Sequence, residues 1–136
     1  MRLSALVLAV SLIACGGSEM LTSPLEEFDP AGAMLVQEGT FVGTPGHAVS
    51  GTAQLYDDGD RVVLLIDEFS TTAGPDLKVY LSAAASNVDF VRLGDLRSTT
   101  GRQAYLVPES TDLNAYPFVL IWCERFSVLF GSAKTQ

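Results

Sequence analysis

The chain has 136 residues, of which 16 are acidic and 8 are basic, and its formal net charge is −8 at pH 7. Nucleic acid and anionic lipid headgroups repel a surface of this charge. Neither a nucleic-acid partner nor membrane attachment through a basic patch is therefore expected.

The N-terminus has the features of an export signal. One basic residue precedes the apolar stretch 3–14, which is shorter than the about 20 residues that span a bilayer. The letters LIAC (12–15) resemble a bacterial lipobox, which implies a lipoprotein signal peptide at residues 1–14 and a lipidated Cys15 as the membrane anchor. An ordinary signal peptide with a chance cysteine is the alternative. Gly16 favours the outer membrane or cell surface, so the expected location is extracytoplasmic, in the bacterial cell envelope.

Residues 15–36 are predicted to form a lipidated, acidic and flexible tether. The stretch after the cysteine contains four acids, two prolines and no basic residue, so it offers little apolar surface to bury. The folded domain is predicted at residues 37–136, a length that can fold alone without disulfides.

The predicted domain is a series of short β-strands separated by turns. In residues 47–56, Val49, Ala53 and Leu55 alternate with polar side chains, as in a half-buried strand. The apolar run RVVLLIDEF (61–69) predicts a central strand buried on both faces. Further strands are predicted at 40–42, 77–82, 88–96, 102–108, 118–123 and 126–134, with the last two as one bent strand. The pattern predicts an all-β, single-domain β-sandwich or barrel-like fold of about seven to eight strands.

The predicted domain contains one cysteine, Cys123, and one histidine, His47. These counts exclude a blue-copper centre, and they leave iron–sulfur clusters, c-type haem and structural zinc without enough ligands. No hydrolase or nucleotide-binding signature is present. An independent enzyme is therefore not expected, and an accessory electron-transfer component is the open alternative.

Two interpretations of Cys123 stay open from the residues alone. Within the apolar stretch VLIWC (119–123), a cysteine most often packs as a small hydrophobic side chain. A lone thiol in an oxidising compartment points instead to chemistry. The position of Cys123 at the end of this apolar stretch predicts an accessible sulfur beside a surface depression. Trp122 is expected on the opposite face of the strand, pointing into the core.

Several segments together resemble the DM-thirteen domain, an electron-transfer domain often found beside DOMON domains. They are His47 with VSG, GPDLKVYLS (74–82), GRQAYLVP (101–108), IWC (121–123) and FSVLFG (126–131). The resemblance covers roughly residues 38–134. It implies redox function through Cys123, either as a naked thiol or as a ligand to a prosthetic group such as haem. His47 matches a second family position and is a further candidate for cofactor binding.

The expected function is a lipid-anchored, extracytoplasmic redox or electron-transfer module that acts through Cys123. Because the chain shows no DOMON-like domain, its redox partner protein is expected to be a separate molecule. The alternative is a binding or adhesion module of the cell envelope. In that case Cys123 is only structural, and aromatic loops such as NAYPF (114–118) form the contact surface.

Overall fold

The computed structural model describes residues 28–136, and the predicted signal peptide and Cys15 lie outside these residues. The described chain is all-β, as predicted, with a 3-10 turn at Pro30–Gly32 before the first strand. The eight strands are β1 (Met34–Gly43), β2 (Val49–Asp57), β3 (Val62–Thr71), β4 (Leu77–Ala84), β5 (Ser86–Asp95), β6 (Thr100–Val107), β7 (Phe118–Cys123) and β8 (Val128–Lys134). Among residues 28–136, no helix is long and apolar enough to cross a membrane.

The eight strands form one antiparallel sheet that curls into a nearly closed barrel. Their order is β5-β4-β7-β8-β1-β2-β3-β6, so β5 and β6 are the two edges. These edges approach each other where the hydroxyl of Tyr105 in β6 lies 3.1 Å from the carbonyl oxygen of Asp95 in β5. β5 and β6 do not pair with each other, so this side-chain contact covers only part of the two edges. The predicted barrel-like, all-β domain is confirmed.

The alternation of side chains along β3 explains why its sequence is apolar without interruption. Val63, Leu64, Leu65 and Ile66 are each at most 1% exposed. Leu64 and Ile66 pack in the barrel interior, whereas Val63 and Leu65 lie on the outer face with Phe28. The predicted central strand, buried on both faces, is therefore confirmed.

The folded domain begins earlier than predicted. β1 starts at Met34, and Phe28 is buried on the outer face of the barrel, where its ring lies 5.9 Å from that of Tyr56 between centroids. The flexible tether predicted for residues 15–36 is therefore wrong for residues 28–36. Acids and prolines in this segment indicated disorder, but the docking patch for Phe28 lies on β2, β3 and β6, which are distant in sequence.

The last two predicted strands form a hairpin and not one bent strand. Cys123 at the end of β7 pairs with Val128 at the start of β8. Between them, the amide of Ser127 donates to the carbonyl oxygen of Glu124 at 3.4 Å, and Ser127 has a φ of 52°. A residue in this left-handed region is typical of a tight reversal of the chain. The polar residues after Cys123 therefore begin a turn that sends β8 back along β7.

Candidate functional site

Cys123 is the last residue of β7, and its side chain points into the barrel. It pairs with Leu77 of β4 and with Val128 of β8. Its exposed fraction is 0%, and it packs in the inner core with Val119 and Ile121 of its own strand. Because side chains alternate along a strand, these positions share one face. The predicted accessible sulfur is therefore wrong, since core side chains enclose the thiol.

Trp122 lies on the opposite face of β7 from Cys123, as alternation requires, but this is the outer face. Its side chain is 7% exposed and packs with Tyr80 and Leu120 in a cluster outside the barrel. The prediction that Trp122 points into the core is wrong. Both faces of β7 are buried, and the cysteine face is the one that lines the interior.

His47 lies in the loop between β1 and β2, and its ring packs on the core. The ring stacks on Phe130 of β8 with 3.8 Å between centroids and 19° between planes. Thr44 holds the loop in place, because its hydroxyl donates to the carbonyl oxygen of Leu129 at 2.7 Å. The amide of His47 in turn donates to the carbonyl oxygen of Thr44 at 2.9 Å. The Phe130 ring therefore covers one face of the imidazole.

The structure brings His47 and Cys123 to the same end of the barrel, which we call the thiol end. It is formed by the loops 44–48, 72–76, 96–99 and 124–127. Phe130 connects the two sites, because His47 stacks on it and it packs in the inner core that contains Cys123. A Cβ atom at Gly74 would lie 2.8 Å from Cζ of Phe130, so a side chain at this position would push the Phe130 ring aside.

A surface depression of about 290 Å³ opens at the thiol end. Residues 74–78 and 95–99 form its lining. Leu77 belongs to this lining, and it also packs in the inner core with Cys123, its partner across the β4–β7 pair. Leu77 is therefore shared by the depression and the inner core, as is Leu96, which lines the depression and packs against the same core.

An ion-pair network borders this depression. The Nζ atom of Lys78 lies 2.6 Å from Oδ1 of Asp76 and 2.6 Å from Oδ1 of Asp95. The hydrogen bond from the Lys78 ammonium holds the pKa of Asp95 below its ordinary value. Hydrogen bonds to the two carboxylates raise the pKa of Lys78. The network pairs Lys78 with the carboxylates of Asp76 and Asp95, and it ties the start of β4 to the end of β5.

Haem does not fit at Cys123 in this fold. Sulfur ligation would require a porphyrin beside a side chain that is 0% exposed and packed among inner-core residues. Among residues 28–136, no group of three or more histidine, cysteine, aspartate or glutamate side chains is arranged to hold a metal ion. Redox chemistry by the naked thiol of Cys123 stays a prediction. Cofactor binding by His47 stays a prediction.

A second polar arrangement, which sequence reasoning missed, lies on the outer face beside Trp122. The hydroxyl of Tyr80 donates to Oε1 of Glu124 at 2.6 Å, and Nε of Arg92 donates to the same oxygen at 2.8 Å. Burial, and then the hydrogen bond to Glu124, raise the pKa of Tyr80. Tyr80 lies within GPDLKVYLS, but its partner is 44 residues away. No local pattern could have indicated that pairing.

The family described as Electron transfer DM13 matches residues 40–135, which is more than half of the chain. The matched range contains His47 and Cys123. It covers the whole barrel except the start of β1. No curated protein and no solved structure matches the chain. The resemblance seen in the sequence is confirmed: the chain belongs to the DM13 electron-transfer family, and its general role is redox or electron transfer.

Proposed function

We propose that the protein is a lipid-anchored, extracytoplasmic redox module of the bacterial cell envelope, with Cys123 as its reacting thiol. The observation that carries the thiol role is the pairing of Cys123 with Leu77, a residue that lines the depression at this end of the barrel. Among the described residues, Cys123 is the one free cysteine. An electron-transfer role needs a group that can be oxidised, and a thiol is such a group.

The chemistry of a lone thiol requires a separate partner molecule. The Cys123 thiolate attacks one sulfur of a partner's disulfide, a new S–S bond forms, and the partner's other sulfur leaves as a thiolate that takes up a proton. Because core side chains enclose the sulfur, this reaction requires a local opening of the thiol end. Strand ends and loops open at lower free energy than the whole domain.

Thiol labelling of the Cys15→Ser variant, in which Cys123 is the one remaining cysteine, tests this proposal. Leu77→Ala is expected to increase the native-state labelling rate by about tenfold or more, because it removes a core side chain that lines the depression and neighbours Cys123 across the β4–β7 pair. Leu81→Ala is the matched control, since Leu81 lies on the same strand, is 0% exposed and pairs with Val119 instead. Equal labelling rates in the two variants, both following global unfolding, would contradict a local opening at Leu77.

The complete burial of Cys123 favours a second candidate, a binding or adhesion module in which the cysteine is structural. In that case the exposed apolar side chains are the contact surface, among them Val88 at 78% and Phe126 at 64% exposure. The loop residue Tyr116 is partly buried, and its hydroxyl bonds to Asp89 at 3.2 Å. Labelling that occurs in every variant solely through global unfolding would support this candidate.

The lipid anchor at Cys15 is the remaining part of the proposal. The supporting observations are the LIAC sequence after an apolar stretch and the net charge of −8, which disfavours electrostatic attachment. Cys15→Ser is expected to shift the protein from the membrane fraction to the soluble envelope fraction. Cys123→Ser is the matched control and is expected to stay in the membrane fraction. A correctly processed Cys15→Ser protein that remains with the membranes would refute lipid anchoring.

A further inference from the structure

The outer face of the barrel carries a group of side chains that we call the Tyr80 cluster: Tyr80, Phe90, Arg92, Trp122 and Glu124. The Tyr80 ring stacks on Phe90 with 4.4 Å between centroids, and its centroid lies 6.5 Å from that of Trp122. Tyr80 is 3% exposed and Trp122 is 7% exposed, whereas Phe90 is 40% exposed. Two oxidisable rings are therefore almost fully buried, and one of them, Tyr80, stacks on a ring that solvent reaches.

The hydroxyl of Tyr80 is joined to a proton acceptor. Its distance of 2.6 Å to Oε1 of Glu124 is within the short range of hydrogen bonds from a hydroxyl to a carboxylate. Arg92 binds the same oxygen at 2.8 Å and keeps the carboxylate in place. Proton transfer by a positioned side chain requires a donor–acceptor distance of about 2.6–3.2 Å, which this pair satisfies without rearrangement.

We propose that Tyr80 is a redox centre of this protein, which gives up one electron to an oxidant while its phenolic proton passes to Glu124. The electron goes to a one-electron acceptor of the class of oxidised metal centres on a partner protein. The O–H bond of Tyr80 breaks, an O–H bond forms on Glu124, and Tyr80 becomes a neutral radical. A one-electron donor of the class of reduced metal centres on a partner protein then returns one electron to Tyr80, and the proton moves back from Glu124 to the phenolic oxygen. The proposal does not rest on Cys123.

The charges that face the ring favour transfer of the electron and the proton together. They come from Arg92 of β5, Glu124 after β7 and Asp76 before β4. Asp76 is paired with Lys78, so its charge is largely compensated. Burial and the bond to Glu124 raise the pKa of Tyr80, so the phenolate does not form first. An oxidised phenol that kept its proton would be a buried cation, and transfer to Glu124 avoids that cost.

Photo-oxidation of the full chain by a ruthenium polypyridyl complex with persulfate tests the proposal. A neutral tyrosyl radical is expected by electron paramagnetic resonance, and its formation should be slower in D2O. Tyr80→Phe is expected to remove the long-lived part of this signal. Glu124→Gln is expected to slow radical formation by about tenfold or more, because the amide is a poor proton acceptor.

Tyr116→Phe is the matched control, because the hydroxyl of Tyr116 also bonds to a carboxylate. Its distance to Asp89 is 3.2 Å, longer than the 2.6 Å between Tyr80 and Glu124. This variant is expected to leave the long-lived radical and the isotope effect unchanged. A Tyr80→Phe variant with the wild-type radical yield, or a Glu124→Gln variant with the wild-type rate, would overturn the proposal. The wild-type protein supplies a test without any variant. Equal rates of radical formation in H2O and D2O would also overturn the proposal.

Discussion

Phe28→Ala is expected to lower the free energy of unfolding by about 3 kcal/mol, at the lower end of the range for buried phenylalanines. Phe28 is 8% exposed and packs on Val63, Leu65 and Ala104, which are at most 1% exposed. Removing the ring uncovers this patch and leaves the outer face of β3 in water. The lower end of the range applies because the cluster lies outside the barrel interior. Urea denaturation of the wild-type and variant chains measures the difference.

Phe126→Ala is the control for this prediction, since Phe126 is 64% exposed in the β7–β8 turn. Its effect is expected within about 0.5 kcal/mol. Limited proteolysis supplies a second readout, because cleavage within residues 28–36 should be slow in the wild-type protein and fast in Phe28→Ala. Rapid wild-type cleavage in this segment, together with an unchanged unfolding midpoint for Phe28→Ala, would show that the segment is not docked.

Cys123→Ser is expected to lower the free energy of unfolding by about 1–3 kcal/mol, because it places a hydroxyl in the inner core. The side chain of Cys123 is 0% exposed, and its neighbours along the inner face, Val119 and Ile121, are apolar. Cys123→Ala is the matched control, since it removes the sulfur without adding a polar group. Its cost is expected to be about 1 kcal/mol, that of a small cavity.

Comparing the two variants separates packing from redox chemistry. If the thiol reacts with a partner, both Cys123→Ser and Cys123→Ala lose the mixed disulfide, whatever their stabilities. If the cysteine is only structural, electron transfer in Cys123→Ala matches that of the wild-type protein. Chemical denaturation and electron-transfer assays on the same preparations measure both properties. A Cys123→Ser variant as stable as the wild-type protein would contradict the buried position of the sulfur.

Strand β7 relates the two proposed redox sites, Cys123 and Tyr80. Cys123 occupies the inner face of β7, whereas Trp122 lies on the outer face and packs with Tyr80. This division follows from the alternation of side chains along a strand. The turn after β7 adds Glu124, which binds the Tyr80 hydroxyl. The two proposed activities can therefore be tested independently. Tyr80→Phe removes the Tyr80 radical, and Cys123→Ala removes thiol exchange.

The sequence by itself determined the class of fold and the family. The alternation at Val49, Ala53 and Leu55 and the unbroken run in 61–69 gave the strands, because period-two hydrophobicity is a local property of the chain. The single cysteine and histidine in the folded part limited the redox chemistry by ligand number alone. The order of the segments from His47 to FSVLFG was enough to indicate the DM13 family.

Tertiary structure alone decided which side chains are enclosed and which meet. Alternation predicted that Cys123 and Trp122 point in opposite directions, but not which direction is the interior, because both faces of β7 are buried. Phe28 docks on strands far along the chain, so its own acidic segment gave no sign of order. Tyr80 and Glu124 meet because β4 pairs with β7. Strand pairing over such separations depends on the closure of the whole sheet, and no short stretch of sequence encodes it.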